Sequence, residues 1–331
     1  MTEKLDTKIV YSHSYDPWFN LAVEEYLLNH VHDHEVILYL WQNDQTVVIG
    51  RNQNAWKECA WEQLEKDGGK LARRLSGGGA VFHDLGNLNF TFLTTKKHYE
   101  LERQLSVILQ ALRKLGVNAE FSGRNDLMLD GRKFSGHAYY YQGQSAYHHG
   151  AILIKTDMEK LSRYLQPSKK KMKSKGVDSV RSRVVNLAEV SDRITVTAVK
   201  ESLAESFGES YGRPVEISIN EKDPEILANY TKYASWEWRF GQSPTFDLTL
   251  SERFNWGEID FGFRLHNGKV DSCTVYSDAM DEELIRKIPQ VLKGLSLEKE
   301  ALVSALESMA DETKSGTMIA DLVKWITSIE I

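Results

Sequence analysis

Cysteine is scarce in this sequence of 331 residues, which contains only Cys59 and Cys273. The two lie far apart and form no CxxC pair, so no disulfide framework is predicted and a reducing compartment is favoured. Long apolar runs are lacking too, since none approaches the roughly 20 residues that a membrane-spanning helix requires. The polar opening "MTEKLDTKIVYSHSYD" has no apolar segment typical of a signal peptide. We therefore expect a soluble, cytoplasmic protein with no membrane partner.

An excess of basic residues is also lacking. Lysines and arginines number 41 against 47 aspartates and glutamates, which gives a net charge of −6. This balance disfavours a nucleic-acid partner, so any site for an anion has to be local. Basic side chains do cluster in the polar segment 168–183, which is predicted to be a loop and contains Lys169, Lys175, Arg181 and Arg183.

The apolar pattern predicts a mixture of helices and strands. Strands are expected at 8–12, 35–41 and 46–50, and residues 119–156 alternate strand patterns with Gly, Asn and Asp turns, which indicates a meander. Meandering strands mixed with helices favour an α+β fold over a doubly wound parallel sheet. The helices expected from periodicity and end signals are 16–30, 54–69, 97–116, 157–165, 195–210, 281–293, 298–309 and 316–329.

A second, smaller unit is predicted near the end of the chain. Strand patterns resume at about residue 250, a hairpin turn is expected at Asn267-Gly268, and helices follow. We therefore predict two domains, at 1–245 and 250–331.

The segment "RRLSGGGAVFHDLGNLNFTF" (73–92) places three glycines before a strand pattern. Gly77, Gly78 and Gly79 let a ligand approach backbone N–H groups, and consecutive amides in a turn form a concave anion site. Arg73 and Arg74 precede them, and guanidinium groups bind phosphate or carboxylate in bidentate fashion. The segment lacks the lysine and spacing of a P-loop and the following helix of a dinucleotide fingerprint. It is therefore either an unusual nucleotide cradle or a flexible glycine-rich hairpin loop.

A second segment with chemical potential is "GRNDLMLDGRKFSGHA" (123–138). Lys133 follows a turn and enters a strand pattern, where its amine points either into a site or into solvent, as most lysines do. Asn125 and Asp126 have side chains suited to Mg²⁺ or a base edge, or to an Asx turn.

Seven stretches of the chain together resemble the lipoate–protein ligase family. In chain order they are "SYDPWFNLAVEE", "TVVIGRNQNAWKEC", "LARRLSGGGAVFHDLGNLNFTF", "SGRNDLMLDGRKFSGHAYY", "HHGAILI", "KGVDSVRSRVVNL" and "SWEWRFGQSP", between residues 14 and 244. The glycine segment together with "GRKFSG" is the most specific part. From about residue 250 the chain is similar, more weakly, to the accessory domain of two-domain bacterial ligases.

The resemblance implies a fold and a reaction. The catalytic domain is expected to be an α+β unit with a mixed β-sheet, like biotin ligases and class II synthetases, and the accessory domain a small α+β unit. ATP, Mg²⁺ and lipoate are expected to give lipoyl-AMP and pyrophosphate. The lipoyl group then passes to a lysine of a lipoyl domain, in 2-oxo acid dehydrogenase E2 subunits or the glycine cleavage H protein. Octanoate is a further plausible acyl substrate.

The same resemblance implies roles for individual residues. Lys133 is expected to touch both the activated carboxyl and the phosphate, where it offsets negative charge during attack on the α-phosphorus. Asp126 is expected to hold Mg²⁺ or the adenylate, with Asn125 beside it. The positions that match ATP contacts are Arg74, Gly79, Ala80, Val81 and Phe82, flanked by Arg73, Ser76, Gly77 and Gly78.

Further implied roles concern the acyl chain and a closing loop. Leu21, Val23 and His83 are candidates for the wall of a lipoate slot and His149 for its entrance, although each also suits an ordinary core. The basic segment 168–183 matches the loop that closes over the adenylate in this family, or it is a solvated loop.

Two other interpretations remain. An octanoyl or lipoyl transferase of the same superfamily would work without ATP. Its cysteine-dependent members need a nucleophilic thiol, and neither Cys59 nor Cys273 is placed for acyl transfer. A non-catalytic protein that binds lipoyl domains is the third interpretation, which loss of Lys133 or of the glycines would have favoured, yet both are present.

Overall fold

The computed structural model describes residues 5–122, 126–165, 184–241, 246–266, 269–310 and 316–329. Its first part contains β1 (Asp6–Tyr11), α1 (Pro17–His30), β2 (Glu35–Trp41), β3 (Thr46–Ile49), α2 (Ala55–Glu58), α3 (Trp61–Lys66), β4 (Lys70–Arg73), β5 (Val81–His83), β6 (Asn87–Thr95), α4 (Leu101–Lys114), β7 (Glu120–Ser122), β8 (Asp126–Leu129), β9 (Arg132–Gln142), β10 (Ser145–Leu153) and α5 (Met158–Tyr164). The chain continues with α6 (Val196–Tyr211), β11 (Val215–Glu216), α7 (Pro224–Ala234), α8 (Trp236–Phe240), β12 (Leu248–Phe254), β13 (Gly257–His266), β14 (Lys269–Ser277), α9 (Glu282–Leu292), α10 (Lys299–Glu307) and α11 (Gly316–Ser328).

A mixed sheet forms the centre of the larger part of the chain. Its strand order is β11-β1-β2-β6-β10-β9-β8-β7, in which β1 runs parallel to β2 and β11 and the remaining neighbours are antiparallel. Every residue of β2 and β6 is buried, because helices cover both faces of the sheet. This arrangement confirms the predicted α+β class with a mixed sheet.

The two faces of the sheet pack into separate apolar cores. One face meets α4 and α6, where Phe90 and Phe92 of β6 join Phe207 of α6. The other face meets α1 and α7, where Trp41 of β2 joins Leu21 of α1. We call this second side the α1 face. Because side chains alternate along a strand, the central strands β1, β2, β6 and β10 contribute residues to both cores.

Helix α1 begins where the sequence predicts it. Pro17 occupies its first turn, and the Asp16 carboxylate accepts from the N–H groups of Trp18 and Phe19. The helix also buries two polar side chains, Asn20 and Glu24. These stand one turn apart and therefore on one side of the helix, which directs polar atoms into an otherwise apolar layer.

A small second sheet lies beside the large one. Its order is β4-β3-β5, with β3 parallel to β4 and antiparallel to β5. It packs against α3 and α5 through a core that includes Leu64, Phe82 and Tyr164. The predicted single helix at 54–69 is wrong: α2 ends at Glu58, and Cys59 forms a β-bridge with Leu165 before α3 begins.

The residues from 246 onward build a third sheet, β12-β13-β14, with its own core against α9, α10 and α11. The predicted turn at Asn267-Gly268 lies outside the described residues, and the division into domains at 245 and 250 stays a prediction. Helices α7 and α8 were missed by the sequence analysis. Within the described residues, no helix is both long enough and apolar enough to cross a membrane.

A chain of buried histidines links β9, β10 and α4. His148 Nδ1 lies 3.1 Å from Gln104 Oε1, and His148 Nε2 lies 2.7 Å from His137 Nδ1. The Ser135 hydroxyl lies 3.2 Å from His137 Nε2. One neutral tautomer satisfies every link, because each ring then donates through Nδ1 and accepts at Nε2. Burial lowers the pKa of His137 to about 3 and that of His148 well below its usual value.

We expect acid to destabilise the fold through these rings. The folded-state pKa of His137 lies below the unfolded value of about 6.5, so the unfolded chain binds more protons as the pH falls from about 6.5 towards 3, and stability is lost across that window. One such histidine lowers the free energy of unfolding by about 2 kcal/mol between pH 7 and pH 5. Urea unfolding at pH 7, 6 and 5 measures the slope, which His137→Asn should flatten and the exposed His13→Asn should not. An identical slope in His137→Asn and wild type would contradict this origin.

Candidate active site

The predicted cradle is a loop between β4 and β5, at residues 74–80, which we call the glycine loop. It is seated on the end of β3: the N–H of Arg74 donates to Ile49 O at 3.0 Å, and the N–H of Arg51 donates to Ser76 O at 2.9 Å. A Cβ at Gly50 would lie 2.2 Å from Gly78 O. The close approach therefore requires glycine directly after β3 as well as in the loop.

The three consecutive glycines have different surroundings. A Cβ at Gly77 would lie 2.3 Å from Ala279 O, so this glycine permits a close contact with the segment before α9. Gly78 has φ +88°, a conformation that side chains disfavour. A Cβ at Gly79 would meet nothing within 4 Å. Space is therefore open beside Gly79, at the point where the loop turns into β5.

The Arg74 side chain fixes the glycine loop through hydrogen bonds. Its buried guanidinium donates to the carbonyls of Gly77 at 2.7 Å, Gly79 at 2.8 Å and Val48 at 3.2 Å. Burial lowers its pKa to about 10, which leaves the group charged at neutral pH. Its hydrogen bonds go to the loop and to β3. A direct contact with ATP therefore stays a prediction, while the hydrogen bonds to the loop carbonyls are observed.

Arg73 points away from the loop, into the seam between β3 and α8. Its guanidinium donates to five backbone carbonyls, which belong to Gly50, Arg51, Gln53, Trp238 and Arg239, at 2.6–3.2 Å. The side chain is buried. As placed, Arg73 ties α8 to the end of β3 and does not face the space beside Gly79.

A buried hydrogen-bonded chain connects the glycine loop to the large sheet. Ser76 Oγ accepts from Arg74 Nε at 3.0 Å and lies 2.8 Å from His149 Nε2. His149 Nδ1 lies 2.8 Å from Glu24 Oε1, which also accepts from the Thr91 hydroxyl at 2.7 Å. Ser76, His149 and Glu24 have the order of a hydrolase triad. However, Ser76 is fully buried and its hydroxyl accepts from an arginine N–H. This hydrogen-bonded series therefore fixes the glycine loop. His149, which was predicted at the entrance of the lipoate slot, is a buried member of this hydrogen-bonded series.

Lys133 lies on the α1 face of the large sheet beside Asp126. Its Nζ is 2.7 Å from Asp126 Oδ1. A Cβ at Gly136 would lie 2.8 Å from that Nζ, so the ammonium occupies the volume that a side chain at 136 would fill. Both charged side chains are about one-third exposed, at 36% and 30%. The lysine therefore has a defined position and is still accessible to a ligand.

Among the described residues, those around Asp126 do not form a protein cage for Mg²⁺. Asp126 Oδ1 is already engaged by Lys133, and the groups of three potential ligands found in the described residues do not include Asp126. One partly neutralised carboxylate suits Mg²⁺ only together with phosphate oxygens and water. The Mg²⁺ assignment stays a prediction, and no step below depends on it. Asn125 lies outside the described residues.

A row of residues crosses the α1 face of the sheet at this level. The strand registers place Trp41 opposite Asn89, Asn89 opposite Ala151, Ala151 opposite Gly136 and Gly136 opposite Asp126. Small residues in the middle of the row leave a shallow floor between Asn89 and the Lys133 amine. Two strand spacings separate those two ends, which is about 10 Å.

Unpartnered polar atoms collect at one end of this floor. Both amide atoms of Asn89, the Asn87 amide nitrogen and His83 Nε2 are buried and have no hydrogen-bond partner among the described residues. Buried polar groups normally have partners, so these atoms indicate a site for polar atoms of water or ligand. Asn87 and Asn89 were not predicted as site residues from the sequence, although Asn87, Asn89 and Thr91 occur at every second position of a buried strand.

The surroundings of His83 favour a neutral ring that carries its proton on Nε2. The Asn43 amide accepts from Asn20 at 3.0 Å and its nitrogen lies 3.2 Å from His83 Nδ1. Asn43 therefore donates to Nδ1, and the ring proton sits on the unpartnered Nε2. Burial, and then the charge of Arg74, lowers the pKa of His83 to about 3.

The remaining predicted wall residues lie in apolar surroundings. Leu21 and Val23 of α1 are buried in the same core as Leu75 of the glycine loop, and Val81 packs against it. Phe82 turns to the other side and contacts Tyr164, and Ala80 packs there too. These positions fit both a slot wall and ordinary core, so their contact with lipoate stays a prediction.

The predicted closing segment lies outside the described residues, with Lys169, Lys175, Arg181 and Arg183. The chain resumes at Val184, which bridges to Lys133, and the N–H of Val185 donates to Lys133 O at 2.9 Å. Val184 and Val185, which follow this basic segment in the sequence, therefore contact the strand that carries Lys133.

The segment between β14 and α9 covers part of the glycine loop. The N–H of Gly78 donates to Ala279 O at 3.2 Å, and the N–H of Ser277 donates to Asn52 O at 2.8 Å. Lys57 and Asp260 form an ion pair of 2.8 Å nearby. One backbone amide of the predicted anion cradle is thus already paired with the C-terminal part of the chain.

Neither cysteine is suited to nucleophilic catalysis. Burial raises the pKa of Cys59 and of Cys273 to about 12, so both are thiols at neutral pH. Cys59 is packed in the core of the small sheet. This agrees with the expectation that neither thiol transfers an acyl group.

We expect Arg73 to act on stability more than on ligand binding. Arg73→Lys removes the planar donor fork that serves five carbonyls, so the free energy of unfolding should fall by about 2 kcal/mol or more. Arg113→Lys, at an exposed position of α4, is the matched control and should change it by less than about 0.5 kcal/mol. Urea unfolding measures both, and a fully stable Arg73→Lys protein would show that the carbonyl contacts are dispensable.

Comparison with known proteins finds matches to two protein families. Residues 16–208 match the family model of the lipoyl protein ligase A/B catalytic domain, and residues 243–326 match that of the bacterial lipoate protein ligase C-terminus. The crystal structure of P. falciparum LipL1 in complex with lipoate is similar, with 29% identity and a TM-score of 0.86 over 96% of this chain and 98% of that one.

Two further solved structures align with most of the chain. A bi-partite lipoate protein ligase from Thermoplasma acidophilum, described with its E2 lipoyl domain, is 26% identical with a TM-score of 0.66 over 74% of this chain and 100% of that one. A lipoate-protein ligase A bound with ATP is 26% identical with a TM-score of 0.64 over 72% of this chain and 99% of that one. The catalytic-domain model alone covers more than half of the sequence. The chain therefore belongs to the lipoate–protein ligase family, as a ligase-type enzyme that carries both the catalytic domain and the bacterial C-terminal region.

Proposed function

We propose that this enzyme activates lipoate with ATP and then transfers the lipoyl group to a lipoyl domain. In the first step a carboxylate oxygen of lipoate attacks the α-phosphorus of ATP, and pyrophosphate leaves. In the second step the ε-amine of an acceptor lysine attacks the acyl carbon, an amide forms and AMP leaves. The observation that carries the proposal is the Lys133 ammonium, which is positioned over Gly136 at the end of a small-residue floor.

Lys133 is proposed to stabilise charge during both steps. Attack of carboxylate on phosphate brings two anions together, and a fixed ammonium offsets their repulsion where negative charge develops. Asp126 holds the amine in position through the 2.7 Å contact and gives way when phosphate and carboxylate oxygens arrive. No covalent bond to Lys133 is needed.

The nucleotide is proposed to lie against the glycine loop. Arg74 fixes the loop carbonyls, and the stretch from Gly79 to Phe82 leads from open space into β5. ATP bound to a related ligase of 26% identity supports this assignment. Mg²⁺ would enter with the phosphates, and the basic segment 168–183 would close over the adenylate.

The acyl chain is proposed to run along the α1 face. Leu21, Val23 and Leu75 supply apolar surface there, and His83, Asn87 and Asn89 supply unpartnered polar atoms at one end. Lipoate bound to the related P. falciparum protein supports a lipoate substrate. Octanoate fits the same apolar character, since the two acids share a carboxyl and an apolar chain.

The acceptor is proposed to be a lipoyl domain of an E2 subunit or the glycine cleavage H protein. The archaeal relative that was studied with its E2 lipoyl domain supports this class of partner. We propose domains at 1–245 and 250–331 and a rearrangement between them, because the contact of Ala279 with Gly78 has to open before that amide can bind phosphate. The two free cysteines suit a cytoplasmic, reducing location.

The decisive experiment is pyrophosphate exchange with the purified full chain. Lipoate should drive exchange of labelled pyrophosphate into ATP without any acceptor, because lipoyl-AMP formation is reversible. Acyl transfer from a carrier-protein thioester without such exchange would support the transferase alternative. Adding an H protein or an E2 lipoyl domain afterwards identifies the acceptor.

We expect Lys133→Ala to reduce the exchange rate by about 100-fold or more. Its stability should change by less than about 0.5 kcal/mol, because the side chain is partly exposed. Arg132→Ala is the matched control, since this neighbouring cation forms an exposed ion pair with Glu189 and should leave exchange unchanged. Gly136→Ala should lower exchange about tenfold by displacing the flexible amine while the fold persists. Normal exchange in Lys133→Ala would remove this residue from the mechanism.

We expect Asn89→Leu to separate stability from activity. The substitution keeps the branched shape of the side chain and removes two buried polar atoms that lack partners among the described residues, so the free energy of unfolding should stay the same or rise by about 1 kcal/mol. If a polar atom of the substrate or adenylate occupies this site, exchange should fall about tenfold through kcat/KM. The change from Leu88, on the opposite face of β6, to Val is the control. A less stable but fully active Asn89→Leu would show that the amide is structural.

A further inference from the structure

A cluster of potential metal ligands lies far from Lys133, where α1 is joined to β2. The sequence from 30 to 35 reads "HVHDHE", and its Asp33 and His34 meet His98 from the connection between β6 and α4. The potential ligand atoms of these three side chains lie within 4.8 Å of one another. We call them the Asp33 cluster.

The distances within the cluster resemble those of a transition-metal site. His34 Nε2 lies 3.4 Å from Asp33 Oδ2, and His98 Nε2 lies 3.3 Å from Asp33 Oδ1. Ligands at 2.0–2.2 Å from a tetrahedral Zn²⁺ ion are about 3.3 Å apart. A small movement of the two rings would therefore bring one nitrogen from each, and a carboxylate oxygen, to a common centre.

Neighbouring contacts orient the ligands before any ion is bound. His34 has φ +62°, a conformation uncommon outside glycine, and its carbonyl accepts from the N–H of Asp6 at 2.7 Å. The Thr95 hydroxyl donates to Asp33 Oδ1 at 3.3 Å. Such second contacts commonly orient metal ligands. The strained turn places His34 beside Asp33 and His98 in a fixed backbone frame.

We propose that the Asp33 cluster binds a divalent transition-metal ion of the Zn²⁺ type. Two imidazoles and one carboxylate form a donor set that suits such ions and leaves at least one coordination position for water. The ion would join the loop before β2 to the connection after β6. It would act on stability, because Thr95 lies six residues along β6 from Asn89, which is about 20 Å.

Lys97 opposes this ion. Its ammonium lies 3.8 Å from Asp33 Oδ2, where it repels a divalent cation and partly neutralises the carboxylate. Two unit charges about 4 Å apart in water change an affinity about fivefold, and a divalent ion feels a larger effect, so removal of the lysine should tighten the site at least about fivefold. This makes Lys97→Ala an informative variant, because a metal site should bind more tightly without the lysine, whereas an ion-pair cluster should only lose a contact.

The test is titration of the full chain with ZnCl₂ alone, in nucleotide-free buffer, followed by calorimetry and by thermal unfolding. We expect one high-affinity site per chain and a rise of about 5 °C in Tm at saturation. His34→Asn keeps a residue that tolerates positive φ, and it should weaken this site at least tenfold, as should His98→Asn. Lys97→Ala should tighten it at least about fivefold.

His30→Asn is the matched control, because His30 belongs to the same histidine-rich stretch but lies 3.5 Å from Glu225 instead. It should bind zinc as the wild type does. The proposal is overturned if the wild type does not bind zinc, if His34→Asn and His98→Asn bind it unchanged, or if His30→Asn loses it equally. None of these outcomes depends on lipoate activation, so the two proposals fail separately.

Discussion

The site depends on a buried guanidinium that satisfies the carbonyl oxygens of the glycine loop. A loop of consecutive glycines has no side chains to pack, and its backbone loses more entropy on folding than any other. Arg74 compensates by donating to Gly77 and Gly79 at once. The same arginine contacts Ser76, whose hydroxyl joins His149 and Glu24. A loop that would be flexible in isolation is therefore fixed to both the small sheet and the large one.

The large sheet contributes a surface to the same site, and the side chains of this surface change in type along β10. On the α1 face, Tyr147 and Leu93 provide apolar surface. Two residues further along β10 the face carries His149. After two more residues it carries Ala151, which lies opposite Gly136 of β9. Residues 147, 149 and 151 share this face because side chains alternate along each strand. The acyl chain proposed for this face would therefore meet apolar side chains at one end and small residues beside Lys133 at the other.

The sequence predicted the fold class and the meander because hydrophobic periodicity and turn residues are local signals. The cap of α1 at Asp16 was predictable for the same reason. The break between α2 and α3 was not, because it depends on a bridge from Cys59 to Leu165, more than a hundred residues away. Helix α8 was missed because it is held by Arg73 through tertiary contacts.

The site was predictable in part. The glycines and Lys133 stood out by type and spacing, and the resemblance to ligases gave them roles. Asn89 escaped notice because a polar residue in a buried strand is recognisable as unusual only when its missing partners can be counted. Arg73 and Arg74 are adjacent in sequence, and only the structure separates them, since β-strand geometry sends successive side chains to opposite sides.

The hydrogen bond between Gly78 and Ala279 has a thermodynamic consequence. An amide that already has an intramolecular acceptor is available to an external anion only in the fraction of molecules where that bond is open. Apparent affinity at the loop then equals the intrinsic affinity multiplied by that fraction. If the nucleotide binds at this loop as proposed, the residues before α9 set the nucleotide concentration at which the enzyme responds, although they are far from the glycine loop in sequence.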